Sequence, residues 1–364
     1  MDTNLSSLYL GQTGLNYFPL NVQILNNFGA HLIRIGEYEE AKKYLQSACN
    51  LAPNFLPAEK NLMTVKGQLI ERWHFPMLND YKRNMAYYKA ILSYNTLNNA
   101  KVIDVGTGCG LLSLFASNNE SLISIHAIEH SKIISSIANC VFEENNMTKV
   151  KLHRKHSGTM TTVDINGYAN LLITEIFDVG LFGENILETL ISAWENLLDQ
   201  DAKIIPASAT IYVTGIECTD ILKKHNLINK LEDLKIQGIC VTSNTDEPYE
   251  SINLDTLKYR KLTETRKVLT VDFSNLNQLK ELQFNPNYSI IESLKIVNTG
   301  YLTEFQFNPN YSIIESLKIV NTGYLTEFAI WFDVHLDDNN VITTNPQEEK
   351  AMIFISRFNA NQGN

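Results

Sequence analysis

Residues 101–117 read KVIDVGTGCGLLSLFAS, and their interpretation decides the fold. An apolar run closes on Asp104 and Val105. Gly106, Gly108 and Gly110 then arrive at two-residue spacing, and a helical pattern begins at once. This is the order of strand, tight turn and helix N-terminus in a nucleotide-binding α/β unit. A second acid, Glu129, closes the next strand-like run, ISIHAIE, 25 residues after Asp104. An acid at that place suits a ribose diol, as in dehydrogenases. The spacing GTGCG differs from the GxGxxG of NAD binders and fits a methyltransferase turn better. A sulfonium cofactor carries no pyrophosphate, so an acid close to the first turn is tolerated.

Working outward, strand and helix alternate. Strands are expected at KVIDVG, LISIHAIE, KVKLHRKHS and ANLLITEIF, the last ending at Glu175. Helices are expected at LLSLFASNN, SKIISSIANCVFEENN and ENILETLISAWENLLD. A mostly parallel sheet follows, with ligands at the carboxyl ends of its strands. Gly106, Gly108, Glu129, His156 and Glu175 all fall at such ends. Glu175 and Glu184 bracket the loop IFDVGLFG, with Asp178 between them. Carboxylates gathered at a strand end repel unless a cation joins them, and a guanidinium matches them in pairs.

Before this block, ERWHFPMLNDYKRNMAYYKAIL reads as one long helix after Pro76. Asp80, Arg83 and Tyr87 would share one side of it, with Arg83 suited to a ligand carboxylate and Asp80 orienting it. Earlier still, Leu25, Phe28, Gly29, Gly36, Tyr38, Ala41, Leu45, Ala48 and Pro53 fit a tetratricopeptide helical hairpin, followed by a helix over roughly 55–69. One such repeat cannot bury its apolar face alone.

Beyond Pro206 the texture becomes β. SATIYVTGIEC, KIQGICV, KVLTVDF, LKELQF, SLKIVN and LTEFAIWFDVHLD suggest an antiparallel, barrel-like domain. Within it QFNPNYSIIESLKIVNTGYLTEF at 283–305 recurs without a change at 306–328. Strand alternation is strict, so this insertion must be looped out or must reroute the pairing. The tail AMIFISRFNANQGN offers no evident closing element. The domains are therefore expected at 1–69, 70–205 and 206–364.

The 364 residues carry a net charge of −10 and 44% apolar residues. That describes a globular chain and disfavours nucleic acid as the main ligand, since phosphate contacts need a positive face. Cys49, Cys109, Cys140, Cys218 and Cys240 are scattered and show no CxxC spacing, so neither a disulfide framework nor a metal site is expected, and a reducing compartment is. No signal peptide or membrane span is read.

The pieces WHFPMLNDYKR, VIDVGTGCGLLSLFA, AIEHS, LLITEIFDVGLFGE and KIIPASATIY together resemble the protein arginine methyltransferase family. The likeness is to its branch with N-terminal tetratricopeptide repeats and two methyltransferase modules. The resemblance implies a class I, Rossmann-like domain that binds S-adenosyl-L-methionine, with a β-barrel behind it. It places Asp104, Gly106, Gly108, Gly110, Arg83, Glu129 and Ser157 around the cofactor. Arg83 would hold the methionine carboxylate, Glu129 the ribose and Ser157 the adenine side. Glu175 and Glu184 would be the paired glutamates that clamp arginine, with His74 and Met77 shaping that site. The implied reaction is methyl transfer to an arginine nitrogen of a protein substrate, in a branch associated with symmetric dimethylarginine, and in the cytoplasm or nucleus. A partner protein on the repeat is a further expectation.

The threonine-histidine-tryptophan loop of that family has no counterpart after Asp338, and a second module is absent, so dimerisation is left open. The chain thus reads as a shortened member. The alternatives are a cofactor-binding or protein-interaction adaptor without turnover, a small-molecule methyltransferase, and an NAD enzyme.

Overall fold

The computed structural model describes residues 3–69, 74–95, 100–221, 249–284, 290–291, 295–296, 300–301, 305–308, 311–314, 320–321, 323, 327–346 and 352–356. The chain forms two compact units, Met1–Tyr81 and Lys82–Asn364.

The first unit is helical. It comprises α1 (Thr3–Tyr17), α2 (Val22–Arg34), α3 (Tyr38–Leu51), α4 (Leu56–Leu69) and α5 (His74–Asn79). The side chain of Asn21 caps α2 by accepting from the Ile24 N–H at 3.1 Å. Gly36, at φ +80°, makes the turn towards α3. A Cβ at Gly29 would lie 2.5 Å from Cγ of Leu45, so α2 and α3 approach through the missing side chain. Phe28, Leu32, Ala41, Leu45, Ala48, Ala58 and Val65 form a core of their own. The long helix expected after Pro76 is instead two helices. α5 begins at His74, with Pro76 in its first turn, where backbone N–H groups have no helical partner. It stops at Asp80, whose N–H turns back to the Met77 carbonyl at 3.3 Å.

The second unit begins with α6 (Tyr81–Ser93) and continues as β1 (Ala100–Val105), α7 (Leu111–Ser117), β2 (Leu122–Ile128), α8 (Lys132–Glu144), β3 (Val150–His153), β4 (Ala169–Thr174), α9 (Ile186–Asn196) and β5 (Leu198–Ile205). The five strands are parallel in the order β3-β2-β1-β4-β5. The chain winds outward from β1 in one direction and then returns to its other side. The carboxyl ends of β1 and β4 therefore border the crevice where such sheets bind ligands. The helix expected over ENILETLISAWENLLD ends at Asn196, and its last residues open β5. Alternation in β5 is hidden by its exposed polar run Asp199, Gln200 and Asp201.

The chain crosses Ile205–Pro206, a cis peptide, into β6 (Ser208–Glu217). Then come β7 (Tyr249–Asn253), β8 (Arg260–Lys261), β9 (Arg266–Asp272), α10 (Leu276–Phe284), β10 (Ile290–Ile291), β11 (Lys295–Ile296), β12 (Gly300–Tyr301), β13 (Phe305–Asn308), β14 (Tyr311–Ile314), β15 (Glu327–His335), β16 (Val341–Thr343) and β17 (Met352–Ser356). Seven strands make an antiparallel sheet, β7-β17-β15-β6-β8, with β16 on β15 and β9 on β6. One continuous core joins both sheets, running from Ile103 and Leu172 through Leu190 to Ile211 and Phe332.

Three β expectations need correction or completion. LKELQF is helix, not strand: Asn275 caps α10 through its side chain, and Leu279 and Leu282 bury at helical spacing. The tail does supply a closing element, since β17 lies between β15 and β7. KIQGICV and Cys240 lie outside the described residues. Among the described residues of the duplicated segment, β10, β13 and β14 form a separate three-stranded sheet, while Glu327 and Phe328, the last two residues of the second copy, open β15 in the seven-stranded sheet. Ile290 and Ile291 pair in parallel with Ile313 and Ile314, their own counterparts in the second copy, in a separate small sheet. β15 meanwhile pairs with β6 without interruption from Glu327↔Ile216 to His335↔Ser208.

Candidate functional site

The site is built at the carboxyl rim of β1, β2 and β4. The N–H groups of Gly106 and Thr107 both donate to the Ile128 carbonyl, at 3.0 and 3.1 Å, so the turn after β1 is folded against the end of β2. Gly106 and Gly110 have φ of +71° and +94°. A Cβ at Gly106 would stand 2.6 Å from Cγ2 of Ile176, and one at Gly110 would collide with the Phe142 ring. Side chains are excluded here both by conformation and by space.

Asp104 is fully buried. Its Oδ2 accepts from the hydroxyls of Thr107 and Ser113, each at 2.6 Å, while its buried Oδ1 accepts no hydrogen bond. Burial pushes this carboxyl up to about 6; the two hydroxyls pull against that, and the Glu129 charge adds to it. Glu129 is buried at the end of β2. Its Oε2 accepts from the Gly108 N–H at 3.2 Å and its Oε1 from the Ser131 N–H at 2.8 Å. The second acid is thus tied to the glycine turn.

Arg83, on α6, forms an ion pair with Glu175, Nη2 to Oε2 at 3.0 Å. The guanidinium lies over the Tyr87 ring, 5.9 Å from its centre. Tyr87 is buried and donates to the Thr174 carbonyl at 3.0 Å, and the Thr174 hydroxyl donates to the Val105 carbonyl at 2.8 Å. These links fasten α6 to the ends of β4 and β1. Burial, with the Glu175 charge behind it, raises the Tyr87 phenol well above its ordinary value.

The loop from Glu175 to Glu184 is shaped by Asp178, whose Oδ1 accepts from the Gly183 N–H at 2.7 Å and whose carbonyl accepts from the Leu181 N–H at 2.9 Å. Glu184 is exposed and immediately precedes Asn185, the residue before α9. His156 caps a short 3-10 turn at Ser157–Thr159 by accepting from the Gly158 N–H, and Ser157 is half-buried. His74, which is buried, and Met77 lie on α5 in the first unit.

Asp104, Gly106, Gly108, Gly110, Glu129, Arg83 and Glu175 are thus gathered at one rim. Sequence reading missed Thr107 and Ser113, the hydroxyls that hold Asp104, and Thr174. A hydroxyl three residues past a strand-end acid and another inside the following helix were the available signals.

Chemically, a buried carboxylate oxygen without a donor suits a ligand carrying positive charge or an N–H. The glycine turn leaves room for a ligand to touch backbone. Glu129 keeps acceptor capacity for hydroxyls. These features fit a sulfonium nucleoside cofactor. Among the described residues, no group of three or more His, Cys, Asp or Glu is arranged to hold a metal ion, and no helix is long and apolar enough to cross a membrane.

No family model matches the chain. Curated relatives do. Protein arginine N-methyltransferase 9 of Homo sapiens is 34% identical over 365 residues, and its Xenopus laevis namesake 32% over 366; each alignment covers 93% of this chain. The chain spans about 40% of the length of these relatives. Among solved structures, the Trypanosoma brucei PRMT1 enzyme-prozyme heterotetrameric complex with AdoHcy aligns with a TM-score of 0.57 at 16% identity, over 80% of this chain and 84% of that one. Arabidopsis thaliana protein arginine methyltransferase 10 aligns with a TM-score of 0.54, also at 16% identity and with the same coverage. The structural likeness establishes the Rossmann-like methyltransferase fold with its antiparallel sheet. Along nearly its whole length the chain is similar in sequence to protein arginine N-methyltransferases.

Proposed function

We propose that this chain binds S-adenosyl-L-methionine at the β1–β2–β4 rim and transfers its methyl group to a guanidino nitrogen of arginine in a protein substrate. The observation that carries the reading is the charge balance of the rim. The acids Asp104, Glu129 and Glu175 outnumber the Arg83 guanidinium held there, and one buried oxygen of Asp104 accepts nothing. Such a rim favours cationic guests, and both the cofactor and arginine are cationic. The T. brucei PRMT1 enzyme-prozyme complex is one with AdoHcy, which is in keeping with this choice.

The cofactor supplies an electrophilic methyl group on sulfur. Asp104 supplies negative charge beneath the glycine turn, and Glu129 accepts from the ribose hydroxyls. Arg83 holds the methionine carboxylate while keeping Glu175 oriented. Glu175 and Glu184 align the substrate guanidinium so that one nitrogen faces the methyl, and they stabilise its charge as the bond forms. Ser157 borders the adenine side. The helices of 1–69 act as a tetratricopeptide surface for a partner protein.

The test is calorimetric titration of the full chain, and of a form lacking 306–328, with S-adenosyl-L-methionine, followed by methylation of an arginine-rich peptide. Saturable binding by both forms with arginine methylation is expected. Binding without turnover would replace this reading with the adaptor, and absence of binding by both would refute it.

A further inference from the structure

His126 on β2 and His153 on β3 are buried, 3% and 8% exposed, and stand beside each other. Nδ1 of His126 lies 2.8 Å from Nε2 of His153, and Nε2 of His126 lies 3.1 Å from the Ser124 hydroxyl. The two rings are inclined by 26°. A hydrogen bond between imidazole nitrogens needs a hydrogen on one and a lone pair on the other, so it survives only while at least one ring is neutral. The next link is backbone. His153 is the last residue of β3, and its carbonyl accepts the Glu129 N–H at 3.0 Å. Glu129 in turn accepts from the Gly108 N–H at 3.2 Å. A single hydrogen-bonded path therefore runs from Ser124 through both histidines and Glu129 to the glycine turn.

The charges around the pair come from three places. Lys101 lies on β1, Lys151 on β3, and Lys155 follows β3. The carboxylate is Asp164, which already pairs with Lys155 at 2.5 Å. Burial first, then His153, Lys101 and Lys151, hold His126 at about 4; burial first, then Lys151 and Lys155 against the pull of Asp164, hold His153 below the ordinary histidine value. The pair is neutral at pH 7.

We propose that the His126–His153 pair is a positioning element for Glu129: its hydrogen bond holds the end of β3 against β2, and protonation of both rings releases that acid from the cofactor site. The proposal rests on Glu129 acting as the ribose acid. Two imidazolium rings both present N–H at the contact and both carry charge. They cannot keep a 2.8 Å approach inside a buried layer. When the end of β3 moves away, the Glu129 N–H loses its acceptor and the carboxylate loses its aim at Gly108.

The test uses the full chain, the double variant His126→Phe/His153→Leu, and His153→Gln, which keeps a hydrogen-bonding group but does not titrate. Affinity for S-adenosylhomocysteine is measured by calorimetry at pH 7.0 and 3.5. In parallel, hydrogen exchange of the Glu129 amide is followed on a peptide spanning 124–131, corrected for intrinsic rate. The loss of affinity on acidification should be at least fivefold larger in the parent chain than in either variant. Asp104 is present in all three and cancels in that comparison. Protection of the Glu129 amide should collapse at pH 3.5 in the parent chain alone. Equal losses of affinity, within twofold, would overturn the proposal. If the parent chain binds no cofactor at either pH, the cofactor reading fails and exchange alone decides: unchanged protection at Glu129 refutes the histidine pair, while its collapse supports it.

Discussion

In the seven-stranded sheet, Thr214 donates to the Thr263 carbonyl at 3.1 Å, and the Thr210 and Thr270 hydroxyls meet at 3.3 Å. At the rim of the five-stranded sheet, Asp104 is buried with one oxygen doubly bonded by hydroxyls and the other without a donor. Both regions bury polar groups in the same continuous core. The first buries neutral groups in matched pairs, which costs little. The second buries charge that is half satisfied, which costs stability until something binds. The contrast separates scaffold from site without reference to any relative.

Several substitutions would break or sharpen that contrast. The largest effect is expected from Glu184→Gln. Its side chain is exposed, so folding should be unchanged, while methyl transfer to peptide falls about 1,000-fold, the size seen when a charge-stabilising group is lost. Cofactor affinity measured by calorimetry should stay within twofold. Full activity in this variant would remove Glu184 from the arginine site.

Next comes Asp104. Its folded value, about 6, lies above the ordinary carboxylate value of 3.8. The folded state therefore binds more protons than the unfolded one between those values, and this group adds stability as pH falls from 7 to 4. Asp104→Asn lacks that gain. The stability difference between parent chain and variant should thus shift by about 2 kcal/mol in favour of the parent over that range, as read by denaturant melts at pH 7 and 4. His126 and His153 act with the opposite sign. Their folded values lie below 6.5, so the stability they allow is present above that pH and is lost on acidification. Asp104→Asn should therefore expose a steeper acid loss that the parent chain masks.

Gly110→Ala is expected to lower stability by about 2 kcal/mol, because φ is +94° and the Phe142 ring occupies the space. The same change should weaken cofactor binding. Thr214→Val should cost only about 1 kcal/mol, for one buried hydrogen bond, and leave cofactor affinity untouched. A Thr214 effect on affinity, or none at Gly110, would erase the boundary between scaffold and site.

Much of the site was legible because its residues sit at strand ends beside glycines. KVIDVGTGCG announces a turn by composition, and ISIHAIE announces where its acid falls. The pairing of Arg83 with Glu175 was not legible, since 92 residues separate them and Arg83 could equally have faced a ligand. His126 and His153 were hidden for the same reason. The helix at Leu276–Phe284 was misread as strand because two leucines three apart, in a short stretch, suit either period; the cap at Asn275 and burial of both leucines settled it. The break at Asp80 escaped because nothing in NDYK demands one.

By itself the sequence determined the alternation of strand and helix, the glycine turn and its acids, and the family likeness, because these depend on local conformation and on spacing along the chain. Only the tertiary structure decided which charges meet. It also decided that β10 and β14, from the two copies of the duplicated segment, pair with each other in a small sheet of their own, and that β17 enters between β15 and β7. Those outcomes depend on packing between distant segments, where burial removes water and makes each partner's identity matter.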